Sequence, residues 1–288
     1  MCTLKRPFWK RLGFSGLRIA LAVLVLLQVY VYAAQDRMIF FPQPLGGDVR
    51  SIVHKARPDA EEIALTTADG HRLYGWFVRN SDGAPEAPAL IYFGGNAEEV
   101  SSLALEANEL RGISFVLFNY RGYGRSDGAP SETALFSDAL AIYDLVASRP
   151  AVDRQRIVAM GRSLGSGVAT YLASQRPLAA VVLVTPYDSM TAVARAKYPF
   201  VLVDLLLRHP FDSVSRARTI DTPLLALIAG SDTVIPPRHA EHLADTWRGP
   251  VTSVVLEGAE HNDIDSHARY WPSIRDFLRQ NAVLEGKR

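Results

Sequence analysis

Five residues, Gly161-Arg162-Ser163-Leu164-Gly165, constrain this chain more than any other feature. They follow Arg156-Ile157-Val158-Ala159-Met160, a short apolar run suited to a strand buried on both faces. They precede Gly167-Val168-Ala169-Thr170-Tyr171-Leu172-Ala173, which reads as helix. A strand must therefore turn sharply into a helix at Ser163. The glycines at 161 and 165 remove the side chains that would hold strand and helix apart. The hydroxyl is left at the sheet edge, beside the free N–H groups of a helix N-terminus. This is the setting of a nucleophile elbow, not of an ordinary Gly-rich nucleotide turn.

A serine nucleophile needs a base, and the base needs a carboxylate to orient it. In this kind of sheet the chain order is Ser, then Asp or Glu, then His. Residues 223–229 form another apolar run and end in Gly230-Ser231-Asp232. A helix is predicted over 237–247 and a last strand over 251–256, and the next loop carries Glu260-His261. Three loops at the carboxyl ends of parallel strands thus bring Ser163, Asp232 and His261 to one edge of the sheet. Asp188 is the rival acid, but Asp232 has the expected strand position. Asp263 and Asp265 are too close in sequence to His261 to orient it easily, and the rival base His267 is expected to begin the last helix.

A tetrahedral intermediate needs two N–H donors. One is expected from Leu164, directly after the nucleophile, and the other from the loop after the strand ending at Phe93.

The motifs Phe93-Gly94-Gly95-Asn96-Ala97, Asn119-Tyr120-Arg121-Gly122-Tyr123-Gly124-Arg125-Ser126, 161–165, Gly230-Ser231-Asp232 and Glu260-His261 occur in this order. On them the chain resembles the α/β-hydrolases, from about residue 60 to its end. Within that superfamily it looks like the small membrane-anchored serine hydrolases that include protein depalmitoylases and bacterial relatives labelled esterases or peptidases. The resemblance implies an α/β-hydrolase fold and places the second oxyanion donor at Asn96. Many relatives carry His where Gly94 stands and Gly where Glu98 stands, so the oxyanion loop has its own construction here.

The remaining pattern predicts the scaffold. Residues 61–67 and 71–79 alternate like strands around Ala68-Asp69-Gly70, a hairpin turn. Strands are expected over 89–93, 114–119 and 180–185, with helices over 98–111 and 132–148. Strands alternating with helices give a mostly parallel, doubly wound sheet. Residues 186–222 leave the sheet as a small helical cap insert, and within it 198–207 is strongly apolar. That segment suits an acyl pocket, a membrane contact or plain core packing.

The N-terminus adds a second constraint. Residues 13–34 approach the ~20 apolar residues needed to cross a bilayer. Residues 1–18 hold Lys5, Arg6, Lys10, Arg11 and Arg18 with no acid, a charge of +5 in a chain of net +1. The positive-inside rule puts residues 1–12 in the cytoplasm and the catalytic domain, 61–288, on the opposite side. Residues 35–60 are expected as linker and entry to the fold. The alternative is a secreted protein whose signal peptide is cleaved after Ala33-Ala34. The apolar run is long for a signal peptide and continues directly into Met38-Ile39-Phe40-Phe41-Pro42.

Residues 19–288, with a net charge of −4, give no reason to expect a nucleic-acid partner. The single cysteine, Cys2, allows no internal disulfide. The Gly-rich stretch 120–128 lacks the Walker lysine pattern, and His239 and His242 have no Cys or acidic cluster nearby in sequence. No metal or organic cofactor is expected. The reading is a serine hydrolase acting on a small-molecule or acylated ester or thioester. A peptidase or amidase of the same fold and a non-catalytic binding scaffold are the alternatives.

Overall fold

A computed structural model describes the backbone of residues 8–79 and 83–284 and the side chains of 16–79 and 83–284. Cys2, Lys5 and Arg6 lie outside the described residues. Eight strands form one sheet: β1 (Ala60–Thr66), β2 (Arg72–Val78), β3 (Ala87–Phe93), β4 (Ser114–Phe118), β5 (Val152–Arg162), β6 (Ala180–Val184), β7 (Leu224–Ala229) and β8 (Val251–Leu256). Their order is β1-β2-β4-β3-β5-β6-β7-β8. From β4 to β8 the pairs are parallel, while β1 and β2 form an antiparallel hairpin joined antiparallel to β4. The hairpin turns at Gly70, whose φ of +87° favours glycine. Every residue of β3, β4, β6 and β7 is buried. That is the signature of strands covered on both faces, and it explains why their sequences are continuously apolar rather than alternating.

Helices α3 (Glu132–Ala147), α4 (Leu164–Gln175) and α8 (Pro237–Thr246) cover one face through Leu135, Val168 and Leu243. The other face is covered by α2 (Val49–Ala56), a 3₁₀ helix (Val100–Glu109) and α9 (Tyr270–Gln280), through Val53, Leu103 and Ile274. The ends are chemically marked. The Ser131 hydroxyl accepts the N–H of Ala134 at 3.2 Å to cap α3, and Pro237 opens α8 at a position where its missing N–H costs nothing.

Several boundaries differ from the sequence expectation. The helix expected over 98–111 is 3₁₀ over Val100–Glu109, and side chains cap its first N–H groups. The Glu99 carboxylate accepts the N–H of Ser101 at 3.3 Å, and Asn119 Oδ1 accepts the N–H of Val100 at 3.2 Å. Residues 35–60 are not simply linker: they hold the end of α1 (Phe8–Ile39) and all of α2. The last helix starts at Tyr270, with His267 closing a short 3₁₀ turn before it.

Helix α1 therefore extends beyond 13–34 at both ends, and its stretch Gly16–Ile39 is long and apolar enough to cross a membrane. Its reduced exposure at Gln28, Val31, Gln35, Met38 and Ile39 follows the helical period and defines one face turned to the domain. That face meets the cap insert, which consists of α5 (Met190–Lys197), α6 (Val203–Leu206) and α7 (Ser213–Ala217).

Backbones meet closely between β3, β5 and α4. A Cβ on Gly165 would stand 2.0 Å from the carbonyl oxygen of Phe93, and one on Gly161 would stand 2.2 Å from that of Gly165. Both obstacles are backbone and cannot swing away. Gly165→Ala is expected to lower stability by about 1–3 kcal/mol, the usual cost of overpacking. An unchanged denaturant midpoint would contradict this close approach.

Candidate active site

Ser163 sits between β5 and α4 at φ +50°, ψ −116°. A side-chain-bearing residue held there stores on the order of 1–3 kcal/mol of strain, so the surroundings must determine it. They do so through three bonds: its N–H donates to Val184 O at 2.9 Å, and its carbonyl accepts from the Ser166 N–H at 2.9 Å and the Ser166 hydroxyl at 2.6 Å. The outcome is a hydroxyl aimed away from the sheet and toward the loop after β8.

There His261 Nε2 lies 2.9 Å from Ser163 Oγ, and His261 Nδ1 lies 2.8 Å from Asp232 Oδ2. Asp232 and His261 are both buried. The second carboxylate oxygen of Asp232 accepts the N–H groups of Val234 at 2.9 Å and Ile235 at 2.7 Å. The carboxylate is thus held by its own loop and has one oxygen left for the imidazole. With Nδ1–H donating to Asp232, Nε2 is the acceptor facing the serine hydroxyl. Arg162 ties the elbow to the histidine loop, donating to Asp265 Oδ2 and to the carbonyl of Asn262, each at 3.0 Å.

The rival groups are placed elsewhere. Asp188 accepts from His239 Nδ1 at 2.9 Å and His242 Nδ1 at 3.0 Å, so the acid absent from their sequence neighbourhood comes from the loop after β6. Asp263 accepts the N–H of Glu260, and His267 Nδ1 accepts the N–H of Arg269. Among the described residues no cluster of three His, Cys, Asp or Glu has the arrangement of a metal site.

The loop 94–97 faces Ser163 and is held from behind. Tyr120 donates to Gly94 O at 2.9 Å, and Tyr123 donates to Asn96 O at 2.6 Å. Burial raises the Tyr120 phenol well above its ordinary pKa and pushes Tyr123 up to about 12, so both stay protonated as donors. The stretch 119–126 is therefore a buttress. Glu98 fills the place where relatives have glycine: it accepts the Gly95 N–H at 2.7 Å and the Tyr92 hydroxyl at 2.8 Å. Sequence reasoning saw Glu98 as a departure and missed this positioning role, since the bond from Tyr92 depends on strand packing. Among the described residues the N–H groups of Asn96 and Leu164 have no protein acceptor, and both residues line the cavity that holds Ser163 and His261. That leaves two donors for an oxyanion.

The cavity has a volume of about 470 Å³, within the usual range of ligand sites. The apolar stretch of the cap divides its side chains. Tyr198, Val201, Val203 and Leu206 line the cavity, while Phe200, Leu202 and Leu205 point outward and are largely exposed.

Comparison with known proteins agrees with this fold. Residues 88–208 match the family model described as alpha/beta hydrolase fold. Uncharacterized protein Rv2307c of Mycobacterium tuberculosis is 36% identical over 261 residues, covering 89% of this chain and 91% of its own. Uncharacterized membrane protein YNL320W of Saccharomyces cerevisiae is 28% identical over 282 residues, covering 94% and 97%. An esterase of Pyrococcus furiosus superposes with a TM-score of 0.66 at 18% identity, covering 85% of this chain and 97% of the esterase; at that identity the likeness concerns the fold.

Glu98→Ala should release the N–H of Gly95 and loosen the neighbouring Asn96 donor. Full loss of an oxyanion donor costs about 3 kcal/mol, so a displaced one is expected to lower kcat about tenfold with KM little changed. Glu98→Gln, which keeps an acceptor oxygen, should recover most of the loss. Equal kcat in Glu98→Ala and wild type would remove Glu98 from the positioning of this loop.

Proposed function

The chain belongs to the α/β-hydrolase family, and from that premise we propose a membrane-anchored serine hydrolase that cleaves carboxylic esters or thioesters through an acyl-enzyme. The observation that carries the reading is the hydrogen-bonded chain from Ser163 through His261 to Asp232, at 2.9 and 2.8 Å, on the wall of a largely apolar cavity.

In this mechanism Ser163 Oγ attacks the substrate carbonyl as its proton passes to His261 Nε2. Asp232 orients the ring and stabilises the imidazolium. The N–H groups of Leu164 and Asn96 receive the developing oxyanion. When the tetrahedral intermediate collapses, the bond to the leaving group breaks, and His261 gives its proton to the departing oxygen or sulfur. A water molecule then loses a proton to His261 and attacks the acyl carbonyl. Release of the acid regenerates the serine hydroxyl. The apolar lining favours an acyl substituent over the polar backbone of a peptide, which supports the ester or thioester reading over the amide one.

The anchor reading is supported by the apolar stretch Gly16–Ile39 and by the relative called a membrane protein in yeast. The basic residues before this stretch orient the N-terminus to the cytoplasm and the catalytic domain to the opposite side. Cleavage near Ala34 would remove Gln28 and Val31, which face the domain, and this favours the retained helix.

Asp232→Asn should lower kcat on the order of 10⁴-fold by favouring the wrong imidazole tautomer. Asp188→Asn, which alters the contacts to His239, His242 and the Ser189 N–H but none to Ser163 or His261, should lower it less than about tenfold. Side-by-side turnover of the two variants on a short-chain ester decides the matter. A greater loss in Asp188→Asn would transfer the acid role to Asp188.

A further inference from the structure

Helix α1 does more than tether the domain. Val31, Gln35, Met38 and Ile39 form part of the wall of the cavity that holds Ser163. Other parts of the wall come from the cap, including Met190 and Val193 of α5, and from Tyr187 in the loop after β6.

Two glutamines fix this wall in place. Gln28 and Gln35 are seven residues apart, about 10.5 Å along one helix face. Gln28 Oε1 accepts the N–H of Leu202 at 2.9 Å, and its Nε2 donates to Phe200 O at 3.0 Å. Gln35 Oε1 accepts the N–H of Arg208 at 2.7 Å, and its Nε2 donates to Leu206 O at 3.0 Å. Segment 200–208 of the cap thus runs alongside the helix, held by carboxamides at both ends. Asp36 adds contacts to Arg208 at 2.8 Å and His209 at 3.0 Å.

Gln28 lies midway along the apolar stretch Gly16–Ile39. A carboxamide at that depth is costly unless its donor and acceptor are both satisfied, and here the cap backbone satisfies them. The tip of the cap is therefore fixed to the helix within its apolar stretch. In the segment whose backbone Gln28 and Gln35 hold, Phe200 and Leu205 are 77% and 78% exposed. Apolar surface of this kind, next to an apolar helix, suits the acyl region of a bilayer and not water.

Resting on the hydrolase reading, the geometry points to a bilayer-lipid ester as the substrate, its fatty-acyl chain entering from the side between α1 and residues 198–207 of the cap. The chain lies in the cavity with its carbonyl at Ser163. The bond that breaks is the acyl C–O bond of the lipid. The Ser163 proton passes through His261 to the lipid's departing alkoxide, and water completes release of the fatty acid. The lipid backbone stays in the membrane throughout.

The test uses full-length protein in phosphatidylcholine vesicles. The first readout is the ratio of kcat/KM for palmitoyl over acetyl glycerol esters. Val31→Trp, which fills the cavity from the helix side, should lower that ratio at least about tenfold. Tyr30→Trp, on the exposed face of α1, should leave the ratio unchanged. A wild-type ratio in Val31→Trp overturns the proposal. The second readout needs no turnover. Ser163→Ala protein is irradiated in vesicles whose phosphatidylcholine carries a diazirine in its acyl chain, and adducts are mapped by mass spectrometry. Adducts on Met190 or Val193, cavity-lining residues of the cap, are expected, and they should disappear when Val31→Trp is added. Adducts confined to outward residues such as Leu26 and Val29 overturn the entrance while leaving the hydrolase reading intact. Adducts on Met190 or Val193 in a protein whose wild type cleaves no ester uphold the entrance and overturn the hydrolase reading. Faster turnover of a water-soluble S-palmitoyl peptide than of vesicle lipid overturns the lipid assignment. So does an intact mass that begins near Gln35.

Discussion

The backbone contact between the first turn of α4 and the end of β3 governs the rest of the site. A Cβ on Gly165 would stand 2.0 Å from Phe93 O, so strand and helix meet with no side chain between them. This close approach forces the one-residue turn at Ser163 into φ +50°. The strain there is stored at the residue whose hydroxyl must project, and the packed sheet and helix keep it from relaxing. The same approach brings the N–H of Leu164 and the loop 94–97 to one side of the serine. Donors arranged before a substrate arrives need no reorganisation as charge develops, which is where such a site gains most of its effect.

Around this point the chain uses two kinds of support. Buried tyrosines and the Glu98 carboxylate hold the oxyanion loop by direct hydrogen bonds, while Arg162 bridges the elbow and the histidine loop. The cap is held differently, by the carboxamides of Gln28 and Gln35 on its flank. In the proposed arrangement this couples the position of the membrane helix to the shape of the acyl cavity. In the proposed mechanism the first support serves the chemical step and the second serves access to it.

Much of this was legible in the sequence, for identifiable reasons. Ser163, Asp232 and His261 each follow an apolar strand, and parallel topology sends all three loops to one edge. The hairpin of β1 and β2 was readable from its turn and its alternation. What escaped reading depended on partners distant in sequence. The helix over Val100–Glu109 read as α-helical from its composition, and the cap at its start, Asn119 Oδ1, comes from the loop after β4, distant in sequence. Helix α2 was hidden in a stretch with linker composition, since it buries one residue fully, Val53, with Val49 packing beside it. Asp188 could be ranked below Asp232 but not assigned, because His239 and His242 reach it from a helix 51 and 54 residues later. The two glutamines of α1 were visible as polar residues in an apolar run, and their seven-residue spacing was the available signal for a buried face. Only the cap backbone beside them gives that spacing its meaning.

The central claim is that Ser163 is the activated nucleophile of this chain. Its most direct test is reaction of the folded, full-length protein with a fluorophosphonate, followed by mass spectrometry of the peptides. The account predicts a single phosphonyl adduct on Ser163, absent after denaturation before labelling and absent in Ser163→Ala. An unlabelled Ser163 in protein that hydrolyses esters, or an adduct on Ser166 in its place, would contradict it.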